Sequence, residues 1–118
     1  MNRKVQRVID HMNANLHRKL GSDELARTAQ ISYSHLGRLF KAETGMPPGQ
    51  YLQVVRMKKA AQLLVNTFIS VKQIMIDTGY RDKALFARHF WRAFDMSPSG
   101  YRAKHAAFSL GDDADSSK

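Results

Sequence analysis

Fifty residues separate two copies of one pattern. From Ser34 the chain reads SHLGRLFKAETGMPPGQY, and from Ala84 it reads ALFARHFWRAFDMSPSGY. At that offset Ser32 meets Asp82, Leu36 meets Phe86, Arg38 meets Arg88 and Phe40 meets Phe90. Further along, Met46 meets Met96, Pro48 meets Pro98 and Tyr51 meets Tyr101. Ahead of Ser32 and Asp82 the offset falls to 49, pairing Leu25 with Ile74 and Ile31 with Tyr80, so the second copy holds one extra residue in its turn. A chain that repeats its apolar positions, its turn prolines and its helix-start residues is built to fold as two similar units.

The periodicities are those of helices. Val5, Val8, Ile9, Met12 and Leu16 follow the i, i+3, i+4, i+7 spacing of one helical face. HRKLG closes that segment, and GSDELARTAQ opens a short helix to about Ala29, with Gly21 or Ser22 as its N-cap. With Gly21 in that role, Glu24 falls at N3 of a capping box and Leu20 and Leu25 staple the start. Ser32 caps a third helix with Leu36, Leu39 and Phe40 inward. It stops near Thr44-Gly45, where Gly45 suits the left-handed C′ position and Pro47-Pro48 bars continuation. A helix from about Gln50 to Val65, ~24 Å long at its standard rise, carries Met57, Ala60, Ala61 and Leu64 on one stripe. Ser70 caps a fifth helix through Ile74 and Met75, Asp82 a sixth with Phe86, Phe90 and Phe94 inside, and a short seventh follows. No run alternates with period two over strand length. The expected fold class is therefore all-α, about seven helices forming two helix-turn-helix subdomains joined by a long linker helix. The boundaries read as 1–49 for the first lobe, 50–66 for the linker, 67–108 for the second lobe and 109–118 for a disordered acidic and polar tail.

Charge narrows the partner. The net charge is +9, and residues 1–110 alone hold 18 basic against seven acidic side chains, a net +11. A body this basic suggests a polyanionic partner, nucleic acid before a membrane surface. The alternative is charge that only solubilises. With no Cys there are neither disulfides nor thiolate metal sites. The opening MNRKVQRVIDHMNANL is amphipathic rather than a signal peptide's apolar block, and no stretch approaches the ~20 apolar residues that cross a bilayer. The expectation is a soluble cytoplasmic protein with no membrane partner.

Each copy reads as short helix, tight turn, capped helix, the pattern in which the first helix braces and the second lies in a DNA major groove. Here the chain resembles a known family. DELA, SHLGRLFKAETGMPPGQYL, RMKKAAQLL, SVKQIMIDTGY and FARHFWRAFDMSPSGYR are similar to the DNA-binding domain of the AraC/XylS family of bacterial transcription regulators, from about Val5 to Arg102. The last block, with Phe86, Phe90, Phe94, Pro98, Tyr101 and Arg102, closely resembles that family's C-terminal signature. The resemblance implies seven helices, two helix-turn-helix lobes held by a linker, and activation through RNA polymerase beside a promoter in the bacterial nucleoid. The chain departs from the family at three places. Gln30 stands where Gly is frequent, which points to a different turn geometry; Met75 stands where a small residue is frequent, which points to a wider helix crossing; Trp91 stands where Lys or Arg is frequent.

Helical spacing places Tyr33, Ser34, Gly37, Arg38 and Lys41 outward on the first recognition helix, and Lys83, Ala84, Ala87, Arg88 and Trp91 outward on the second. Arg38 and Arg88 are the expected base readers, because a guanidinium bridges O6 and N7 of guanine. A solvated or phosphate-bound arginine is the alternative. Tyr33, Ser34 and Lys83 are candidates for base contact, with phosphate as the other partner for Ser34 and Lys83, and Ala84 and Ala87 for thymine methyls or for letting the helix sit deep in the groove. Lys41, Lys72, Arg81, Arg92 and Arg102 are candidates for phosphate contact or ordinary surface charge. His11, His17, His35, His89 and His105 are scattered without metal-ligand spacing, so no metal or cofactor is expected, and His89, in the place of Leu39, reads as half-buried. Without a Gly-rich phosphate loop, paired carboxylates or a nucleophile motif, an enzyme is not expected. No inducer pocket is marked. The leading reading is a sequence-specific double-stranded DNA binder that regulates transcription as a monomer. A non-specific or architectural nucleic-acid binder and a protein-interaction module remain as alternatives. Met1 just ahead of the first helix fits a stand-alone regulator and equally one domain of a longer protein with an effector domain.

Overall fold

The computed structural model describes residues 1–106, and that span holds seven α-helices: α1 (Arg3–Ala14), α2 (Ser22–Ala29), α3 (Tyr33–Thr44), α4 (Pro48–Asn66), α5 (Val71–Asp77), α6 (Lys83–Phe94) and α7 (Pro98–His105). The tail expected to be disordered, 109–118, lies outside the described residues. The helices group into two compact units, divided inside α4 after Arg56. α4 opens at Pro48 rather than Gln50. A proline suits a first helical position, since its missing N–H would have no intrahelical partner there.

In the first unit α1 buries Val5, Val8, Ile9 and Met12, and α2 adds Leu25 and Ala29. Leu36 and Phe40 of α3 complete this core with Leu52 from the N-terminal half of α4. In the second unit the C-terminal half of α4 supplies Met57, Ala60, Ala61 and Leu64. α5 supplies Ile74, and α6 supplies Phe86 and Phe90. The repeat extends to ring geometry. Phe40 meets Tyr51 edge-on at 5.4 Å, and fifty residues on Phe90 meets Tyr101 edge-on at 5.4 Å.

The turns repeat as well. Four described residues have positive φ: Gln30 (60°), Gly45 (84°), Gly79 (88°) and Asp95 (60°). They are two equivalent pairs, Gln30 with Gly79 inside the helix-turn-helix and Gly45 with Asp95 after the recognition helix. The hydrogen bonds match: Ile31 N donates to Ala26 O, and Tyr80 N donates to Met75 O. The expectation of a different turn at Gln30 is thus corrected. Gln30 takes the left-handed conformation that glycine takes in the second unit, because the bonds that close the turn require it. Ser32, Ser70 and Asp82 cap their helices through side-chain oxygens, accepting from His35 N, Gln73 N and Leu85 N.

The capping box at Glu24 is also corrected. Gly21 is the N-cap of α2, but Glu24 accepts from Arg18 Nη1 (2.9 Å), Arg18 Nη2 (2.5 Å) and His11 Nε2 (2.6 Å). The bidentate guanidinium outcompetes a single backbone N–H for the carboxylate. Arg18, with help from His11, holds the Glu24 carboxyl down at about 2, from an ordinary 4.5. Arg56, 8% exposed, donates to Arg18 O at 2.9 Å, so the loop between α1 and α2 is fastened on both sides.

Gln30→Gly relieves left-handed strain and is expected to raise stability by about 0.5–1 kcal/mol, part of the gain being offset by the freer unfolded chain; denaturant titration reads the shift. A depressed carboxylate pKa stabilises the folded state above the unfolded value and loses that contribution as pH falls through the folded one. The stability gap between the parent chain and Glu24→Gln is therefore expected to be open at pH 7 and to close between 4.5 and about 2. Thermal midpoints measured across that range test it.

Candidate nucleic-acid interface

Each unit presents the second helix of its helix-turn-helix, α3 or α6, capped and twelve residues long, with its buried side seated on the core and its other side in solvent. On α3, Leu36 and Phe40 are buried and Leu39 half-buried, while Tyr33, Ser34, Arg38 and Lys41 are exposed. On α6, Phe86 and Phe90 are buried, while Lys83, Ala84, Ala87, Arg88, Trp91 and Arg92 are exposed. Gly37 is half-buried, and a Cβ there would meet nothing within 4 Å, so the surface of α3 is open at that point.

Among the described residues, Arg38 and Arg88 meet neither a hydrogen-bond nor an ion-pair partner, and the same holds for Lys41, Lys72, Arg81, Lys83 and Arg92. All seven are exposed, and none forms an ion pair among the described residues. Unneutralised charge beside a helix of groove-fitting diameter can hold phosphates, and a guanidinium on the same face can reach base edges.

Arg102 is different, and its expected phosphate contact is corrected. It is half-buried on α7, its Nε donates to Leu64 O (3.1 Å), and its Nη2 donates to Thr67 O (3.3 Å) and Ile69 O (2.6 Å). These carbonyls lie at and just beyond the C-terminus of α4, where acceptors lack intrahelical donors and the helix dipole favours a cation. Arg102 fastens α4 to α7 within the second unit, and these three bonds leave its guanidinium few donors for a phosphate.

The residue reading also missed a contact. Tyr80, 7% exposed at the end of the turn, shares a 2.6 Å hydrogen bond with His89 Nδ1 on α6. Burial, reinforced by the charges of Arg92 and Arg88, pushes the His89 pKa down. A neutral ring can thus sit between two arginines on the recognition helix. In the first unit these places are Ile31 and Leu39, both half-buried against the core. The paired change from two aliphatics to two polar aromatics was a signal present in the repeat.

A model of the helix-turn-helix domain family matches residues 25–104. The chain is similar to the lactose operon transcription activator of Staphylococcus xylosus, 35% identical over 102 residues, covering 86% of this chain and 37% of that protein. It is also similar to the HTH-type transcriptional activator RhaR of Mannheimia succiniciproducens, 34% identical over 101 residues, with the same coverage of 86% and 37%. The chain thus spans little more than a third of the length of these curated relatives. Among solved structures it resembles a transcriptional regulator from Chromobacterium violaceum described as an AraC-type DNA-binding domain protein, with a TM-score of 0.81, 30% identity and coverage of 90% and 95% of the two chains. It resembles equally the DNA-binding domain of AdpA, a global transcriptional factor, in complex with a target DNA, with a TM-score of 0.81, 29% identity and coverage of 87% and 93%.

Removing three hydrogen bonds from a cation to backbone carbonyls destabilises the second unit. Arg102→Met is expected to cost about 2 kcal/mol in denaturant unfolding, whereas Arg92→Ala, at an exposed and unpartnered position, changes stability by less than about 0.5 kcal/mol.

Proposed function

The chain belongs to the AraC/XylS family of transcription regulators as its DNA-binding domain, and from that premise we propose that it binds double-stranded DNA sequence-specifically through α3 and α6 and so regulates transcription. The observation that carries the reading is the pair Arg38 and Arg88. They lie fifty residues apart in the repeat, at the same place on two recognition helices, both exposed and both without a partner among the described residues. A surface kept only for solubility has no need of that equivalence.

In this reading the two recognition helices enter successive major grooves, which lie roughly 34 Å apart on B-DNA. One chain then covers about two turns of duplex without a palindrome. Arg38 and Arg88 read guanines, and Tyr33, Ser34 and Lys83 contact neighbouring bases. Ala84 and Ala87 lie against thymine methyls or allow close approach. Lys41, Lys72, Arg81 and Arg92 hold phosphates and set the register. That a relative in DNA complex shares this fold supports the duplex as partner. That two relatives are described as transcription activators supports activation, with RNA polymerase as the partner recruited. Among the described residues no helix is long and apolar enough to cross a membrane, and a cytoplasmic regulator at the nucleoid fits the reading. No catalytic step is assigned.

The test is a comparison of readers with holders. After selection of bound sites from random duplex, Arg88→Ala is expected to lose about 1–3 kcal/mol of discrimination at one cluster of positions, and Arg38→Ala the same at another. Lys41→Ala should instead weaken all sites alike and lower the slope of log K against log salt by about 0.9. A uniform loss with Arg38→Ala and Arg88→Ala, or a parent chain whose specificity ratio is near one, would favour the non-specific binder.

A further inference from the structure

The second unit contains a cavity of about 440 Å³ lined by Val71, Lys72 and Met75 of α5, Arg81 of the turn, Lys83 and Phe86 of α6, and Ser99 of α7. The sequence reading marked no pocket for a small molecule; the structure has one of ligand size. Phe86 is buried and Val71 and Met75 half-buried, whereas Lys72, Arg81 and Lys83 are exposed. The wall is thus apolar and the positive charge lies towards solvent. None of the three cations has an ion-pair or hydrogen-bond partner among the described residues.

The duplication shows that the scaffold does not demand these residues. The places of Val71, Lys72 and Met75 in the first unit are held by Ser22, Asp23 and Ala26. Those of Lys83, Phe86 and Ser99 are held by Tyr33, Leu36 and Gly49, and Arg81 is the extra residue of the second turn, with no counterpart at all. Both units fold with the same turn hydrogen bonds and the same edge-on aromatic pair. The second alone combines an apolar wall with three unpaired cations; in the first the places of Lys72 and Lys83 are an acid, Asp23, and a tyrosine, Tyr33, and Arg81 has no counterpart.

We propose that this cavity binds a small amphipathic organic anion, an aromatic or branched aliphatic monocarboxylate. Its apolar body lies on Met75 and Phe86, and its carboxylate lies among Lys72, Arg81 and Lys83. A bare phosphate would leave the apolar wall unused, and a neutral ligand would draw nothing from the three cations. Under the DNA-binding reading these three cations also face the duplex, so ligand and DNA compete for them and occupancy releases DNA from the second unit. That last step rests on the proposed function; the binding itself does not.

The test uses the whole chain with labelled Met and Val methyl groups, titrated with 3-phenylpropanoate without DNA. Saturable shifts at Met75 and Val71 are expected, with little response to 3-phenylpropanol and none to inorganic phosphate at these methyls. Lys72→Gln, an exposed substitution, should weaken the carboxylate about three-fold. No saturable shift, or an equal response to phosphate or the alcohol, overturns the proposal. In a second titration with a selected duplex, saturating 3-phenylpropanoate should weaken DNA binding at least several-fold; unchanged affinity overturns the competition. A chain that takes up the carboxylate but binds no duplex leaves the cavity standing and removes the DNA reading, and the reverse result does the opposite.

Discussion

A helix can offer an arginine to a partner only if its other side is held down. Here the holding contact is a phenylalanine buried at the middle of each recognition helix, with a tyrosine from a later helix edge-on against it. Phe40 and Phe90 are both fully inaccessible to solvent. The edge-to-face contact is worth about 0.5–1.5 kcal/mol beyond the area it buries, and it fixes rotation about the helix axis as well as position. Arg38 and Arg88 each precede that phenylalanine by two residues, so at about 100° per residue they point well away from the core. The exposure of each arginine follows from the burial of its phenylalanine.

Holding the helix is not enough; the chain must also turn sharply into it and out of it. Each unit meets that demand with two left-handed residues, and each has glycine at only one of the two places. The first has Gln30 and Gly45, the second Gly79 and Asp95. A glycine visits this conformation without steric cost, whereas other side chains pay of the order of 1 kcal/mol. That both units keep the geometry regardless shows that the hydrogen bonds from Ile31 N and Tyr80 N, with the packing behind them, outweigh the local preference.

The units diverge in what they do with charge. The first draws Arg18, Arg56, His11 and Glu24 into fastening its own loop. The second uses Arg102 to fasten the end of α4 and leaves Lys72, Arg81 and Lys83 unpaired around a cavity. From composition these side chains are one population of basic residues, yet they divide into structural cations and available ones. The division decides the electrostatics of the candidate interface, since a guanidinium that donates three bonds to carbonyls has few left for a phosphate.

Much of this was legible before any coordinates. Ser32, Ser70 and Asp82 were identifiable as caps, Gly45 as a helix stop, and Leu36, Phe40, Phe86 and Phe90 as core, because capping and helical periodicity act over a few residues. The outward places of Arg38 and Arg88 follow from the same local rule, and the 50-residue repeat requires two like units. Tertiary structure alone decided that Gln30 accepts a left-handed turn, that Glu24 leaves its capping role for Arg18, and that Arg102 bonds to backbone carbonyls. It also decided that Met75, Phe86 and Ser99 enclose a space. For Arg102 the reason is distance along the chain. Arg102 meets acceptors 33 to 38 residues earlier, and no local spacing tells a cation which carbonyls will stand beside it once the chain has folded.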